Sequence, residues 1–374
     1  MVGKAFGKRL LRLLPGTVSA MLAVSMAAGA LRWMGAPATT GDSGVRNPGE
    51  KYRMYVAGQV GSALEGIYDV DRVYWIDGSD PVAPKPDANA FAEADPGELD
   101  FLPKKAAKLL DGQELFFSGQ VQTSPGTRVR YYLDDTILAI TWKQVLDGGT
   151  YTFSEVKIAH PSQFRRFLAG GEFGSDKLYI TTQMASSVNA VVASSGDFYS
   201  YRQAGTLVYD GKVRRIHNGL VDTCYVDENG NLHFTGRDEQ MDEDQAQAYV
   251  EENRIRFSLA FGPVLIREGE VVTPSGYAVG EINDCYPRSA LCQLGKLHYL
   301  LAVVNAEGEN QTVPTIHRFA RNLCDWGITT AYALDGGQTA VIAMDGELIN
   351  AVLFGYQRKI SDIIYFATAI PEGG

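Results

Sequence analysis

Short runs of apolar and β-branched residues alternate with turn residues along most of the chain from Tyr131 onward. The runs read YYLDDTILAITW, TYTFSEVKIA, AVVAS, GTLVYDGKV, VDTCYVDENGNLHF, RIRFSLAFG, LHYLLAVV, TAYALDGGQTAVIAM and SDIIYFATA. Asn-Gly, Asp-Gly and Gly-Gly pairs punctuate them, and such pairs are typical of tight hairpin turns. No run recurs with a fixed period. The pattern predicts an α+β fold, a twisted and mainly antiparallel sheet system with a few covering helices.

Two segments break the strand pattern and predict helices. Between Pro314 and Gly327, apolar residues from Ile316 to Trp326 recur at three- and four-residue spacing, which is the stripe of an amphipathic helix that covers a sheet. Residues 238–253 carry seven acidic side chains in a second predicted helix. A calcium site is conceivable there, but the segment lacks the loop spacing and the glycine of an EF-hand. A solvated helix face is the favoured interpretation.

The first residues of the chain have the pattern of a targeting segment. Residues 1–12 hold four basic side chains and no acid, and residues 13–31 carry no charge. This uncharged run comes close to the ~20 residues that cross a bilayer. It predicts a signal-anchor or, as the alternative, a signal peptide cut near Ala28 or within residues 35–38. In either case the rest of the protein is expected outside the cytoplasm, membrane-anchored or secreted.

The remaining composition divides the chain into three further parts. Residues 36–52 are rich in Gly, Pro, Thr and Ser and predict a flexible linker behind the targeting segment of residues 1–35. Residues 53–125 predict an N-terminal extension with one short helix over Lys104–Leu110. Residues 126–374 contain the strand-like runs and predict a single large domain.

Charge and composition exclude two classes of protein. With 34 basic and 44 acidic residues, the 374-residue chain has a formal net charge of -10, so it lacks the basic surface that binds nucleic acid. Hydrophobic residues make up 45% and charged residues 21% of the chain, a balance too apolar for a disordered protein. The sequence therefore predicts a folded protein with no nucleic-acid partner.

Neither the cysteine spacing nor the common catalytic motifs identify a metal site or an enzyme class. The four cysteines form no CxxC pair, so structural zinc is not expected. A disulfide between Cys285 and Cys292 is possible in an exported protein, although free buried thiols are favoured. HExxH, GxSxG, Walker and GxGxxG motifs are absent, and the five histidines are scattered.

The clearest candidate for chemistry is Asp335-Gly336-Gly337-Gln338-Thr339, which lies between the apolar runs TTAYAL and TAVIAM. A carboxylate at a strand end can serve as acid, base or metal ligand, and two glycines let the backbone approach a ligand. On spacing alone, an ordinary Asp-Gly hairpin turn is the favoured interpretation of the segment.

Three further positions carry polar chemistry beside apolar runs. Arg288 follows Tyr-Pro, and its planar guanidinium suits bidentate binding of phosphate or carboxylate. Asp197 follows Ser195 and a glycine at the end of the run NAVVA, and Arg358 precedes the run SDIIYFATA. Taken alone, each has a simpler interpretation as a turn or a solvent-exposed side chain.

These pieces occur in the order found in phosphodiester glycosidases, and the chain resembles that family in several segments. The segments are NAVVASSGDFYSYRQAGTLVYDGKV, FSLAFGPVLIREGEVV, YPRSALCQLGKLHYLLAVV, HRFARNLCDWGITTAYALDGGQTAVIAMDGELIN and QRKISDIIYFATA. They span about residues 130–370, and residues 53–125 resemble the N-terminal extension of Gram-positive members.

The resemblance implies a surface cavity and roles for particular residues. It implies that Asp335 is the principal catalytic carboxylate, acting as acid, base or nucleophile, and that Asp197 is its catalytic partner or orients it. It also implies that Arg288 and Arg358 hold the phosphate. The other residues implied in substrate binding are Gly336, Gly337, Gln338, Asn350 and Ser195. No cofactor is certain, but a calcium ion could bridge the two carboxylates.

Three departures from the family pattern accompany this resemblance. Ser195 stands where many members have Asn, and Asn305-Ala306-Glu307 replaces Asp-Gly-Arg. The family's DGGGSS is replaced by DGGQTA over residues 335–340.

The implied function is an exported or membrane-tethered hydrolase that cleaves the glycosidic bond of a sugar 1-phosphodiester resembling an N-acetylglucosamine 1-phosphodiester. The expected partners are a sugar phosphodiester or phosphorylated polysaccharide of the cell envelope, and a membrane through the N-terminal segment. A non-catalytic glycan-phosphate binding module is the alternative, and a structural partner in polysaccharide assembly is a third.

Overall fold

The computed structural model describes residues 54–56, 74–76, 82–118, 126–217, 219–239, 241–278 and 281–369. The chain divides into two compact units, residues 1–44 and 45–374, and all described residues belong to the second unit. The predicted targeting segment and linker lie outside the described residues. Within the described part, no helix is long and apolar enough to cross a membrane.

Strands dominate the described chain, and five helices accompany them. The strands are β1 Met54–Val56, β2 Tyr74–Ile76, β3 Phe91–Ala94, β4 Val129–Leu133, β5 Ile137–Leu146, β6 Gly149–Ile158, β7 Phe164–Leu168, β8 Val192–Ser195, β9 Leu207–Tyr209, β10 Lys212–Arg215, β11 Thr223–Asp227, β12 Leu232–Thr235, β13 Ile255–Leu259, β14 Val264–Arg267, β15 Glu270–Val271, β16 Arg288–Gly295, β17 His298–Asn305, β18 Ala331–Leu334, β19 Ile342–Met344, β20 Glu347–Leu348 and β21 Asp362–Phe366. The α-helices are α1 Leu102–Lys105, α2 Ala107–Leu110, α3 Thr181–Ser187, α4 Glu243–Glu252 and α5 Ile316–Asp325.

Two large antiparallel sheets form the body of the domain. The nine-stranded sheet has the order β15-β14-β18-β16-β17-β6-β5-β4-β3, and the five-stranded sheet has the order β20-β19-β8-β21-β7. A three-stranded sheet β12-β11-β13 and the pairs β10-β9 and β1-β2 complete the strands. This architecture confirms the predicted α+β fold. Strand β3 lies in the predicted N-terminal extension, yet it pairs with β4 at the edge of the nine-stranded sheet.

The nine-stranded sheet is covered on both faces, which explains its long apolar runs. On β17, Tyr299, Leu301 and Val303 pack with residues of the five-stranded sheet. Leu300 and Val304 belong to the opposite face and pack with the apolar stripe of α5. Because every position of such a strand is buried, its sequence is continuously apolar and does not alternate.

The predicted helices occur, with ends set by capping side chains. Thr315 caps α5 by accepting the backbone N–H of Arg318, and the buried stripe of α5 confirms the amphipathic helix. The acidic segment becomes helical later than predicted, at Glu243, because the carboxylate of Asp242 accepts the backbone N–H of Gln245. The short helix of the extension divides into α1 and α2.

The cysteines differ in part from the expectation of buried thiols. All four are free, and Cys224 and Cys292 are buried. Cys285, however, is exposed, and Cys324 is half-buried. A Cys285–Cys292 disulfide is therefore not formed, and Cys292 instead pairs through its backbone with neighbouring strands inside the nine-stranded sheet.

A buried arginine on β7 pairs with two carboxylates, one on the neighbouring strand β21 and one just after β8. The Nη2 atom of Arg166 lies 2.5 Å from Asp197 Oδ1 and 2.9 Å from Asp362 Oδ2. None of the three side chains is exposed. Asp362 also accepts the backbone N–H groups of Asp197 and Phe198, at 3.2 and 2.9 Å. These contacts fix the loop that leaves β8.

Gly196 is required at the start of this loop because its neighbour is the Asp362 carboxylate. A Cβ atom at position 196 would lie only 1.8 Å from Asp362 Oδ2. An alanine must therefore displace either the loop or the carboxylate that Arg166 binds.

We expect Gly196→Ala to lower the free energy of unfolding by about 2–3 kcal/mol, since it inserts a methyl group where there is no space. Urea unfolding checks this value. The matched control is Gly276→Ala, which has no heavy atom within 4 Å of its added Cβ. The control should change stability by less than about 0.5 kcal/mol. Equal effects of the two substitutions would contradict this account of Gly196.

The pH dependence of stability should also report the buried cluster. One guanidinium faces two carboxylates, and burial raises the pKa of Asp362 from 3.8 to about 7. Between pH 3.8 and about 7, Asp362 is therefore protonated in the folded state and ionised in the unfolded chain. The stability that this bound proton contributes is lost as the pH rises through about 7. We expect the free energy of unfolding to fall by on the order of 2–4 kcal/mol across this window.

Urea unfolding at a series of pH values measures that loss. Asp362→Asn cannot take up the proton and should flatten the slope over the same window. A slope that is unchanged in Asp362→Asn, or a wild-type stability contribution that grows with pH, would exclude this assignment.

Candidate active site

The two large sheets meet where β8 and β18 end. Strand β8 belongs to the five-stranded sheet and leads into Gly196, whereas β18 belongs to the nine-stranded sheet and leads into Asp335. The backbone N–H of Asp335 donates to the carbonyl oxygen of Gly196 at 3.3 Å. The hydroxyl of Ser195 donates to the carbonyl oxygens of Thr339 at 2.5 Å and Asp335 at 3.3 Å. Ser195 thus ties the two strand ends together.

The Asp335 segment is not a hairpin turn, because it crosses from one sheet to the other. In the ordinary turn Asp345-Gly346, both residues have positive φ, at 54° and 71°. Gly336 has φ of −110°, and the strands before and after the segment, β18 and β19, lie in different sheets. The Asp-Gly pair therefore has another role than the hairpin turn that its spacing suggests.

The two glycines after Asp335 allow a close approach to the loop that carries Pro287. A Cβ atom at Gly336 would lie 2.6 Å from the carbonyl oxygen of Pro287. Gly337 has φ of 66° and donates its backbone N–H to the same oxygen at 2.9 Å. Both glycines serve backbone packing, which brings the segment before β16 against Asp335.

Asp335 is a buried carboxylate paired with a half-exposed arginine. The Nη2 atom of Arg358 donates to Asp335 Oδ2 at 2.9 Å. Burial raises the pKa of Asp335, while the charges of Arg358 and Arg202 lower it in part. A carboxyl group that exchanges its proton closer to neutral pH is suited to acid–base chemistry.

Arg202 is a second cation beside Asp335 that the sequence does not single out. It ends a tight turn in which Phe198, at φ of 51°, accepts the backbone N–H groups of Tyr201 and Arg202. Its guanidinium carbon lies 4.7 Å from the ring centroid of Phe261. Within the described chain, the buried atoms Arg202 Nη1 and Arg358 Nε find no hydrogen-bond partner.

Aromatic rings of the same turn contact Arg358. Its guanidinium carbon lies 4.8 Å from the ring centroid of Phe198 and 6.0 Å from that of Tyr201. The two rings are stacked, with centroids 5.3 Å apart. Cation–π contact of this kind orients the guanidinium next to Asp335.

Asp197 and Arg288 lie near this centre, but their polar groups are engaged elsewhere. The two carboxylate oxygens of Asp197 bind Arg166 and the backbone N–H of Ala260. Arg288 is buried and donates to the carbonyl oxygens of Glu281 at 3.1 Å and Asp284 at 2.5 Å. Burial lowers the pKa of Arg288 to about 10.

Asn350 and Gln338 make backbone contacts. The side-chain amide of Asn350 accepts the N–H of Ile342 and donates to the carbonyl oxygens of Ala340 and Ala351. Gln338 donates to the carbonyl oxygen of Tyr356 at 3.4 Å. Asn350 therefore braces the chain behind the site, and Gln338 lies at its edge.

The residues that replace the family's Asp-Gly-Arg have structural contacts. Asn305 donates to the carbonyl oxygen of Ala340 at 3.4 Å. Glu307 lies 2.8 Å from the ammonium of Lys143 and accepts the backbone N–H of Ala351 at 2.9 Å. Residues 305–307 thus hold the segments on either side of β19 and β20.

The site offers a poor ligand set for calcium. The described residues contain no group of three or more His, Cys, Asp or Glu that could hold a metal ion. Calcium takes about six to eight oxygen ligands. Asp197 is already bound by Arg166 and Asp335 by Arg358, so these residues do not fit a bridging calcium ion.

The structure thus brings together Asp335, Gly336, Gly337, Gln338 and Arg358, and it adds Arg166, Asp362 and Arg202. The sequence gives a weak signal for Arg166 and Asp362, because both are charged residues in apolar strand-like runs, FRRFL and DIIYF. A charged side chain that is buried in such a strand must be paired with an opposite charge. Arg202 lies in a polar segment and gave no such signal.

Comparison with known proteins agrees with this fold. The model of the phosphodiester glycosidase family matches residues 188–367. The catalytic domain of zebrafish N-acetylglucosamine-1-phosphodiester alpha-N-acetylglucosaminidase, solved in a form auto-inhibited by its pro-peptide, has a similar fold, with a TM-score of 0.50. The two are 18% identical, and the similarity covers 70% of this chain and 92% of that domain. A hypothetical protein from Synechocystis gives a TM-score of 0.46 at 14% identity, over 65% of this chain and 64% of that one.

A curated relative is also distant. The SPbeta prophage-derived uncharacterized protein YomE of Bacillus subtilis (strain 168) is 23% identical over 198 residues. That match covers 51% of this chain and 30% of the relative, so the chain spans less than a third of the relative's length.

The family match contains Asp197, Arg202, Asp335, Arg358 and Asp362, and therefore nearly the whole site described above. Residues 188–367 thus match the phosphodiester glycosidase domain that the model of this family of hydrolases describes.

Proposed function

We propose that the protein hydrolyses the bond between a sugar and the phosphate of a sugar 1-phosphodiester. The observation that carries this proposal is the buried Asp335 carboxyl group, held by Arg358 and close to the charge of Arg202. The match of residues 188–367 to the phosphodiester glycosidase family supports the same reaction class. The N-terminal targeting pattern leads us to propose further that the reaction takes place outside the cytoplasm, on a cell-envelope or exopolysaccharide substrate, with the N-terminal segment in the membrane.

Arg202 and Arg358 are suited to hold the diester phosphate. A buried N–H group without a partner is costly, and each of the two guanidinium groups has one. A phosphodiester carries one negative charge and two non-bridging oxygens, which accept charge-assisted hydrogen bonds from such donors. Arg288, the clamp implied by the family resemblance, is engaged with the loop carbonyls of Glu281 and Asp284. We therefore assign phosphate binding to Arg202 and Arg358.

One carboxylate is then sufficient for the reaction. The C1–O bond breaks, and its electron pair leaves with the phosphate oxygen, so a phosphomonoester departs without prior protonation by a strong acid. Water supplies the new C1 hydroxyl group, and Asp335 takes the proton that this water releases. The ionised Asp335 also stabilises positive charge that develops at C1. Asp197, held by Arg166, shapes the loop and does not face the sugar in this scheme.

Asp335→Asn should separate catalysis from binding. We expect turnover of an N-acetylglucosamine 1-phosphodiester of a simple sugar to fall by about 10²- to 10⁴-fold, because the base is lost while the shape of the site is kept. Mass spectrometry in heavy-oxygen water measures the products. Label in the released sugar is expected, since water attacks C1.

The matched control is Asp345→Asn, which changes an exposed aspartate in an ordinary Asp-Gly turn and should leave turnover unchanged. Label in the phosphate would contradict glycosidic cleavage and indicate attack at phosphorus. Measurable binding of several diesters with no turnover would instead support the non-catalytic glycan-phosphate module.

Arg202→Gln tests the assignment of the phosphate site. Isothermal titration with methyl phosphate, which presents the phosphomonoester of the product, should show affinity about 10- to 100-fold weaker than in the wild type. Arg358→Gln should have an effect of similar size. Arg321→Gln removes an exposed arginine of α5 and serves as control, with affinity unchanged. If Arg202→Gln kept the wild-type affinity for methyl phosphate and Arg288→Gln lost most of it, Arg288 and not Arg202 would be the phosphate-binding residue.

A further inference from the structure

Among residues 82–118, 126–217, 219–239, 241–278 and 281–369, every exposed aromatic side chain belongs to a segment that borders the Asp335 site. The four are Tyr201, Tyr286, Phe354 and Tyr356, which are 65%, 37%, 73% and 50% exposed. They come from three separate segments of sequence. Aromatic rings carry large apolar faces, and four exposed rings around one site point to a ligand.

Contacts connect each ring's segment to the site. Tyr201 stacks on Phe198 beneath Arg358. Tyr356 offers its carbonyl oxygen to the side chain of Gln338, at 3.4 Å. Phe354 lies in the short turn Leu353–Gly355, which directly precedes Tyr356.

Tyr286 borders the site from the third segment. Its ring centroid lies 6.0 Å from the guanidinium carbon of Arg288. The following residue, Pro287, accepts the backbone N–H of Gly337. Tyr286 is thus one residue from the contact that holds the Asp335 turn.

Phe354 is unusual in backbone as well as in exposure. Its φ of 64° lies in the left-handed region, which is costly for a bulky residue. No burial of the ring offsets this cost, because Phe354 is among the most exposed apolar residues described. The fold therefore presents this ring to solvent at some cost in stability, as expected for a binding surface.

The surroundings of the rings favour sugars over an acyl chain. The exposed large aliphatic residues, Val145, Leu220, Val271, Val272 and Leu348, lie outside these segments. A lipid chain would need a continuous aliphatic wall, whereas a sugar ring presents an apolar C–H face and a rim of hydroxyl groups. Three of the four rings are tyrosines. Gln338 adds a polar group next to the backbone of Tyr356, and the charge of Glu281 acts on Tyr286. Aromatic faces with polar edges match that chemistry.

We propose that these four rings, the aromatic rim, bind successive sugar units of a glycan joined to the phosphate. This inference rests on the proposed function for the position of the phosphate. It narrows the substrate class to phosphodiesters whose second alcohol belongs to an oligosaccharide or polysaccharide, in preference to a small alkyl group. The rim then contributes binding energy remote from the reacting bond.

A series of diesters tests the rim. N-acetylglucosamine 1-phosphodiesters of methanol, a monosaccharide and a tetrasaccharide are compared by kcat/KM with the full-length protein. The wild type should prefer the tetrasaccharide diester over the methyl diester by at least about 10-fold. Phe354→Asn, in which asparagine tolerates the positive φ, and Tyr356→Ala should reduce that ratio toward one. Leu220→Ala, an exposed aliphatic control, should keep the ratio.

A binding measurement separates failure of the rim from failure of the proposed reaction. An array of phosphate-free bacterial oligosaccharides is probed with Asp335→Asn, alone and combined with Phe354→Asn. Retention of an oligosaccharide that the second substitution abolishes would support the rim even if no diester were turned over. A wild-type ratio near one, retention of no oligosaccharide, or binding to phospholipid vesicles that depends on Phe354 would each overturn the proposal.

Discussion

The site depends on one buried guanidinium shared between two carboxylates. Arg166, Asp197 and Asp362 are fully buried, and removing Arg166 leaves the buried carboxylates without their counter-charge, at a cost on the order of 3–5 kcal/mol. The carboxylate of Asp362 also accepts two backbone N–H groups of the loop after β8. These hydrogen bonds hold the backbone of the loop at Asp197 and Phe198. Tyr201 and Arg202 follow in the same loop, where the ring of Tyr201 lies against Arg358 and the charge of Arg202 acts on Asp335.

The second constraint is the meeting of two sheets at their strand ends. β18 and β19 are consecutive in sequence but lie in different sheets, so the residues between them must cross a narrow space beside β8. Gly336 is accommodated there only because it has no Cβ, and Ser195 pins the crossing to β8. The same crossing buries Asp335 and raises its pKa. Fold and chemistry are thus linked, since the geometry that joins the sheets also desolvates the carboxyl group.

Much of the fold follows from local pattern. The spacing from Ile316 to Trp326 predicts α5, and Asp-Gly pairs such as Asp345-Gly346 mark hairpins because both residues adopt positive φ. The placement of Asp335 at a strand end is likewise visible in sequence. These features depend on neighbours within a few residues, which is the range over which spacing and turn chemistry act.

The rest depends on contacts between residues far apart in the chain. Arg166 and Asp362 are 196 residues apart, so no local pattern links them. Arg288 looks like a ligand-binding cation in sequence, and only the fold shows that it binds carbonyl oxygens of its own loop. Arg202 lies in a polar segment with no distinguishing sequence pattern. Its role comes from its burial close to the Asp335 carboxylate. Burial of charge is set by tertiary structure, and this is why the sequence identified the carboxylate but not both of its cations.

The most direct measurement of the central claim is a crystal structure of the Asp335→Asn protein with an intact sugar 1-phosphodiester. The account predicts phosphate oxygens at about 2.7–3.1 Å from the guanidinium groups of both Arg202 and Arg358. It also predicts residue 335 beside C1 of the sugar, with room for one water molecule between them. A phosphate bound through Arg288, or a sugar placed next to Asp197 and away from residue 335, would contradict it.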